Sequence, residues 1–358
     1  MVATLLVGII SVLFAFLAKF KEAKWGLIAS FTVIFIFLAL RYDFGNDYKG
    51  YMEGFNNVNS YAEINYFGKY YNYEIGWLVL IRLFHNYGFF SMVGFLALLN
   101  CIIYYRFIKK YVEVKYYWLA VFIYIFDPQF MLTQASAMRQ SLAIGIFLFS
   151  IDYIYKKDLI RFALCIGIAS LFHSSALILF PAYLLGYINL KVNKYSGMLL
   201  FGIFMSLFLV PTIFASYINS VVADYFVKYE FYQGPAGTIG TGFGVLYSSG
   251  MFLLVLFYDK FQSNQKALLF KIAVISFMFM PLSLVINLIS RVGMYFTPSI
   301  IIVYPRIFQT INGVGYKAIY IISFFVITAY IFFTFFNSEL WRAHYGTYKT
   351  IFSVSNLF

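Results

Sequence analysis

Charge is what this sequence has least of. Only 11% of its 358 residues are Asp, Glu, Lys or Arg, where a soluble domain carries about 25%. Acid is scarcer than base: 14 Asp and Glu stand against 26 Lys and Arg, a formal net charge of +12. Hydrophobic residues make up 63% of the chain and the mean hydropathy is +0.81. So little polar surface cannot cover a water-soluble core of this size, which excludes a soluble enzyme, a nucleic-acid binder and a disordered tail. The basic residues sit at the edges of apolar runs rather than along one amphipathic face, so their surplus is not a nucleic-acid footprint. Cysteine is also scarce. Cys101 and Cys165 both lie in apolar stretches and read as small buried hydrophobes rather than a disulfide or metal pair. The motifs GxGxxG after a strand, P-loop, HExxH and CxxC are missing, and the carboxylates of 41–74 lack a recognisable metal-ligand spacing. Neither cofactor nor metal is expected.

What the chain does have is a succession of apolar runs, and these read as a polytopic membrane protein. A spanning helix takes roughly 17–25 mostly apolar residues, and Lys and Arg gather at the cytoplasmic ends. On that basis the spans are 2–18, 25–40, 88–105, 116–126, 139–155, two short helices within 161–191, 195–218, 242–258, 267–290, 292–305 and 318–336. The start lacks a basic leader and a small-residue cleavage site, so it reads as a retained helix. A short helix from Glu74 to His85 lies at the outer interface. The expectation is an all-α, single-domain chain, 1–358, of about twelve transmembrane helices with both ends outside. Its external parts are the loops 41–73 and 219–241 and the tail 337–358. Under this topology the whole surplus of +12 falls on the inner side and the outer side is neutral. The surplus is then largely a record of orientation, not a sign of an anionic partner.

Ionisable residues at membrane depth are costly and mark sites. Four constellations fall near the outer face. Arg41-Tyr-Asp43-Phe-Gly-Asn-Asp47-Tyr sets a cation beside two carboxylates, a set suited to hydroxylated or phosphorylated ligands. An interfacial loop whose charges pair with each other accounts for it equally. Glu74-Ile-Gly-Trp77 opens a helix with a favourable acidic residue and an interface anchor, and structure alone explains both. Ser136-Ala-Met-Arg139-Gln140 starts a span with an arginine, which cannot shed its proton and needs an anion. A phosphate at a helix start fits that need, as does snorkelling to lipid phosphates. Ser170-Leu-Phe-His173-Ser-Ser-Ala-Leu puts a histidine at a helix break. That suits acid–base work or pyrophosphate contact, while a lone structural histidine is the plainer alternative. Arg291-Val-Gly-Met-Tyr295 is a comparable feature near the C-terminal end.

Taken in order, Arg41–Tyr48, Glu74–Trp77, Met138–Gln140, Leu171–Leu177 and Arg291–Tyr295 resemble the EpsG family of polysaccharide polymerases, which belongs with the Wzy-type O-antigen and capsule polymerases. Ser141 stands where a glycine would match the pattern, and the loop 219–241 carries no signature of the family. The resemblance implies a fold like the GT-C membrane glycosyltransferases, in the bacterial inner membrane with the active site facing outward. It implies that a growing glycan leaves undecaprenyl pyrophosphate for the non-reducing end of a second lipid-linked repeat unit. The implied partners are these lipid-linked oligosaccharides, membrane lipids and a chain-length regulator of the same pathway, with no nucleic acid. Arg41, Arg139, Gln140, Arg291 and Tyr295 would hold pyrophosphate and glycan, since fixed positive charge stabilises the leaving group. His173, Asp43, Asp47 and Glu74 are the candidates for acid–base work, with a carboxylate of 41–74 favoured as base and His173 as a contact to pyrophosphate or acceptor.

Two competing functions read differently. A lipid-linked oligosaccharide flippase would place charges near the bilayer midplane, with paired repeats and broken helices in corresponding positions. Here the ionic residues gather at one face and the halves do not resemble each other. An O-antigen ligase would carry a larger late external loop than 219–241.

Overall fold

The computed structural model describes residues 1–58, 73–190, 192–208, 243–258, 264–283 and 287–353. They are overwhelmingly helical and group into two compact units. The first comprises Met1–Asp152, Leu159–Leu177 and Val314–Phe358, and the second Tyr153–Asp158 and Ile178–Gly313.

In the first unit, α1 (Val2–Leu17) and α2 (Gly26–Ala39) form a hairpin. The polarity of α1 is inverted relative to a soluble helix. Thr4, Gly8, Ser11 and Ala15 are buried, while Val2, Leu6, Ile9, Leu13 and Phe16 are exposed. Hydrocarbon solvates large side chains as well as a protein core does, so close backbone packing through small residues is what remains to join helices in lipid. After α2 come β1 (Arg41–Tyr42), α3 (Tyr48–Asn57), α4 (Ile75–Phe84) and α5 (Phe89–Tyr111). Then follow α6 (Tyr117–Phe126), the short α7 (Met131–Ser136), α8 (Met138–Lys156) and α9 (Leu159–Ser170). A 3₁₀ run, Ser174–Gly186, contains Pro181 and crosses from the first unit to the second.

The second unit continues with α10 (Lys194–Phe208), α11 (Phe243–Tyr258), α12 (Asn264–Ser283), α13 (Asn287–Phe296) and α14 (Ile300–Thr310). The first unit is completed by α15 (Val314–Asn337), α16 (Glu339–Tyr345) and β2 (Lys349–Thr350). β2 pairs antiparallel with β1, a two-stranded exception to the helical plan. Among the described residues, three helices are long and apolar enough to cross a membrane, Lys21–Ala39, Phe89–Tyr111 and Val314–Asn337. Seven shorter apolar helices accompany them. This is an all-α membrane architecture.

The structure corrects several expectations. The loop 41–73 contains α3, whose Tyr48, Tyr51 and Phe55 face the core. The stretch 127–138 contains α7. Arg291 does not close a span: α12 ends at Ser283 and Arg291 lies within α13, while α14 begins only at Ile300, after a turn over Thr297–Ser299. Lys271 and Arg306, expected at cytoplasmic ends, are 9% and 5% exposed. Lys271 donates to the carbonyls of Leu185 and Ile188, where the end of the 3₁₀ run leaves acceptors that favour a cation. Cys101 is buried as expected, but Cys165 is only partly so. The loop 219–241 and the stretch 59–72, with Tyr61, Tyr66, Phe67, Tyr70 and Tyr71, lie outside the described residues.

Candidate functional site

Glu74 occupies the N-cap of α4 in extended conformation. Its carbonyl accepts the Trp77 and Leu78 N–H groups at 3.0 and 3.2 Å, so its side chain is left to project beyond the helix start. Gly76 lets that start press against the turn after α9. Its N–H donates to the Leu171 carbonyl at 2.8 Å, and a Cβ there would stand 2.7 Å from the same oxygen. Trp77, fully buried, anchors the other side. Gly76→Ala is therefore expected to destabilise the first unit by about 1–3 kcal/mol through overpacking, measured as a lowered thermal midpoint in detergent.

This docking brings together three groups distant in sequence. One Glu74 carboxylate oxygen pairs closely with the Arg139 guanidinium. The other accepts the Ser174 N–H at 3.1 Å and lies 3.7 Å from His173 Nδ1. Arg139 stands in the first turn of α8, and His173 sits at the break between α9 and the 3₁₀ run. The side chains are 12% exposed for Glu74, 19% for Arg139 and 10% for His173, so the cluster is largely shielded. Burial by itself would raise the Glu74 carboxyl. Arg139, the Ser174 N–H and His173 outweigh it and hold the group below the usual glutamate range.

Aromatic rings fix the arginine's plane. Its guanidinium lies 4.9 Å from the Tyr73 ring centroid and 5.9 Å from that of Tyr51, within cation–π range. Tyr51 and Tyr73 stack 6.4 Å apart, and Tyr51 packs on Trp77 at 5.1 Å. Gln140, beside Arg139, is 4% exposed.

The other expected site residues are placed differently. Arg41 is 2% exposed and donates to the Leu38 carbonyl at the end of α2. Its guanidinium lies 5.7 Å from the Tyr48 ring centroid. It caps a helix C-terminus, and among the described residues no carboxylate pairs with it. Asp43, in left-handed backbone with φ 48°, pairs instead with the exposed Lys49 at 3.1 Å. Asp47 accepts the Asn46 side-chain amide at 3.1 Å, and its own N–H donates to the Ser136 hydroxyl at 3.3 Å. Gly45 between them has φ +132°, and a Cβ there would meet the Ala135 carbonyl oxygen at 2.4 Å. The segment 41–47 is thus a brace against the bend between α7 and α8. Arg291, half-buried, and Tyr295, fully buried, belong to α13 of the second unit.

Sequence reasoning missed the Ser174 N–H and the part played by Tyr51. The spacing of Tyr48, Tyr51 and Phe55 carried the available signal, a helical apolar stripe inside a polar stretch. Among the described residues no group of three or more His, Cys, Asp or Glu could hold a metal ion.

No curated protein and no solved structure matches the chain. The model of the EpsG family matches residues 24–350, which takes in the Glu74–Arg139–His173 cluster, the whole second unit, most of the first and the β1–β2 pair. The chain belongs to the EpsG family.

Proposed function

We propose that this protein is a membrane glycosyltransferase that polymerises polysaccharide. It would move a growing glycan from undecaprenyl pyrophosphate to the non-reducing end of a second lipid-linked repeat unit, at the outer face of the inner membrane. The observation that carries this reading is the Glu74–Arg139–His173 cluster, a partly shielded cation and imidazole locked to one carboxylate. In the transfer, the acceptor hydroxyl oxygen attacks the anomeric carbon and the bond from that carbon to the pyrophosphate oxygen breaks. The pyrophosphate leaves with the electron pair, and the hydroxyl proton passes to a base. Arg139 is assigned to the charge that develops on the leaving oxygens, because a guanidinium stays protonated in a low-dielectric site.

Glu74 is held anionic by its neighbours, which makes it a poor proton acceptor and a good orienting group. Its carboxylate faces His173 Nδ1, so Nε2 of the same ring takes the acceptor's proton, with Glu74 stabilising the imidazolium that forms. Gln140, beside Arg139, would add a contact to pyrophosphate or glycan. The test is to give purified protein a lipid pyrophosphate-linked repeat unit and resolve the products by size. A ladder of longer glycans is expected. No ladder from wild-type protein, in membranes where the substrate is shown to be accessible, overturns the reading.

A further inference from the structure

The C-terminal segment is tied to the N-terminal third at many points. In the β1–β2 pair Arg41 lies opposite Thr350 and Tyr42 opposite Lys349. The Ile351 N–H donates to the Leu40 carbonyl at 3.0 Å, and the Gly45 N–H to the His344 carbonyl at 3.2 Å. The Tyr348 hydroxyl donates to the Phe37 carbonyl at 2.7 Å, with the two rings stacked at 4.4 Å. Tyr345 reaches furthest. It is 2% exposed, packs edge-on against Phe44 at 5.2 Å, and its hydroxyl donates to the Leu132 carbonyl in α7 at 3.1 Å. The Ser136 hydroxyl, in the same short helix, accepts the Asp47 N–H at 3.3 Å. Three segments far apart in sequence therefore meet on the last turn of α7. Arg139 follows Ser136 within one helical turn, beyond the bend at Ala137.

We infer that Tyr345 is a positioning residue for Arg139. The C-terminal strap holds the α7–α8 bend from one side and, through Gly45 and Asp47, braces the loop that holds it from the other. The start of α8 is the element that carries Arg139 to Glu74. A hydroxyl removed at Tyr345 releases the Leu132 carbonyl of α7 and lets the helix start drift. A misplacement of about 1 Å at a reacting group costs on the order of 10²-fold in rate. The inference rests on the reading of Arg139 given above, and it goes beyond that reading by assigning work to a segment that touches none of the reacting groups.

The test compares wild type with Tyr345→Phe, which keeps the ring and loses the hydroxyl, and with Ser136→Ala and the double variant. All are made in the full chain and purified in detergent. Glycan-ladder turnover should fall about 10- to 100-fold in Tyr345→Phe, with the thermal midpoint unchanged and KM for the lipid-linked donor nearly so. The double variant should be no slower than the worse single one, because the two groups act through one bend. Amide hydrogen exchange should quicken over 131–140 and stay unchanged over α15. Wild-type turnover and wild-type protection in Tyr345→Phe would overturn the inference. So would a lowered thermal midpoint with unchanged turnover per folded molecule, which is a purely structural role. If wild type makes no ladder, the transferase reading fails, and the exchange measurement still decides whether Tyr345 holds the bend.

Discussion

Arg139→Ala is expected to lose about 10²–10³-fold in glycan transfer, with the protein still inserted in the membrane. The loss has two sources that can be separated. The variant removes the fixed charge assigned to the departing pyrophosphate, and it leaves the Glu74 carboxylate facing His173 without its main counter-charge. Arg139→Lys restores a positive charge but not the planar group held between Tyr51 and Tyr73, so most of the loss should persist. Turnover measured on the same lipid-linked substrate checks both. Full activity in Arg139→Ala would remove the guanidinium from the mechanism. Recovery to wild type in Arg139→Lys would show that charge suffices and that the aromatic seating does not matter.

Glu74→Gln should be at least as damaging, between about 10²- and 10⁴-fold in turnover, the range for losing or misorienting a general base. The substitution keeps shape and removes charge, so Arg139 loses its pair and His173 loses the carboxylate at Nδ1. Stability provides a second readout with a defined sign. The carboxyl of Glu74 sits below its ordinary value in the folded protein, and an unfolded glutamate titrates near about 4.3. The contribution of ionised Glu74 is thus present above that pH and is lost as pH falls through the folded value. Thermal unfolding of wild type and Glu74→Gln should differ most above about pH 5 and converge in acid. A difference constant across that range would mean that the carboxylate's charge does not stabilise the unit.

The sequence carried the helical plan because hydrocarbon imposes two simple rules, apolar length and basic flanks. α1, α2, α4, α6 and α8 begin and end within a residue or two of the boundaries drawn from those rules. The break at Phe172–Ser174 was equally legible, since two spans cannot otherwise fit between Arg161 and Lys191 with both ends on one side. The rules fail where helices are not lipid-facing. α3 is amphipathic and polar on average, so hydropathy passes over it. α13 and α14 are divided by a turn at Thr297–Ser299 that no change in hydropathy announces.

For the site, the residue types were visible and their partners were not. Arg41, Asp43 and Asp47 look like one ionic cluster in sequence, yet backbone geometry turns each to a different neighbour. Arg41 follows the α2 C-terminus and caps it, Asp43 turns out to Lys49, and Asp47 lies against Ser136. Glu74 looked like an ordinary helix opener with an interface tryptophan. What makes it more is Gly76, which admits the backbone of Leu171 and so carries His173 to the carboxylate. The tail 337–358 offered no chemistry to single out, because its hold on the fold runs through backbone groups and the rings and hydroxyls of Tyr345 and Tyr348.

The pairing of β1 with β2 also dictates an order of events during biogenesis. Residues 41 and 42 leave the ribosome long before their partners 349 and 350, so the brace around segment 41–47 stays open while the helices between them are made. The helices can insert one after another while the chain grows, as domains form from the N-terminal side, but closure of the β1–β2 pair waits until residues 349 and 350 have been made. The brace therefore closes only after the helices before it have been made, and a chain stalled between Asn337 and Tyr345 would carry every helix through α15 without it.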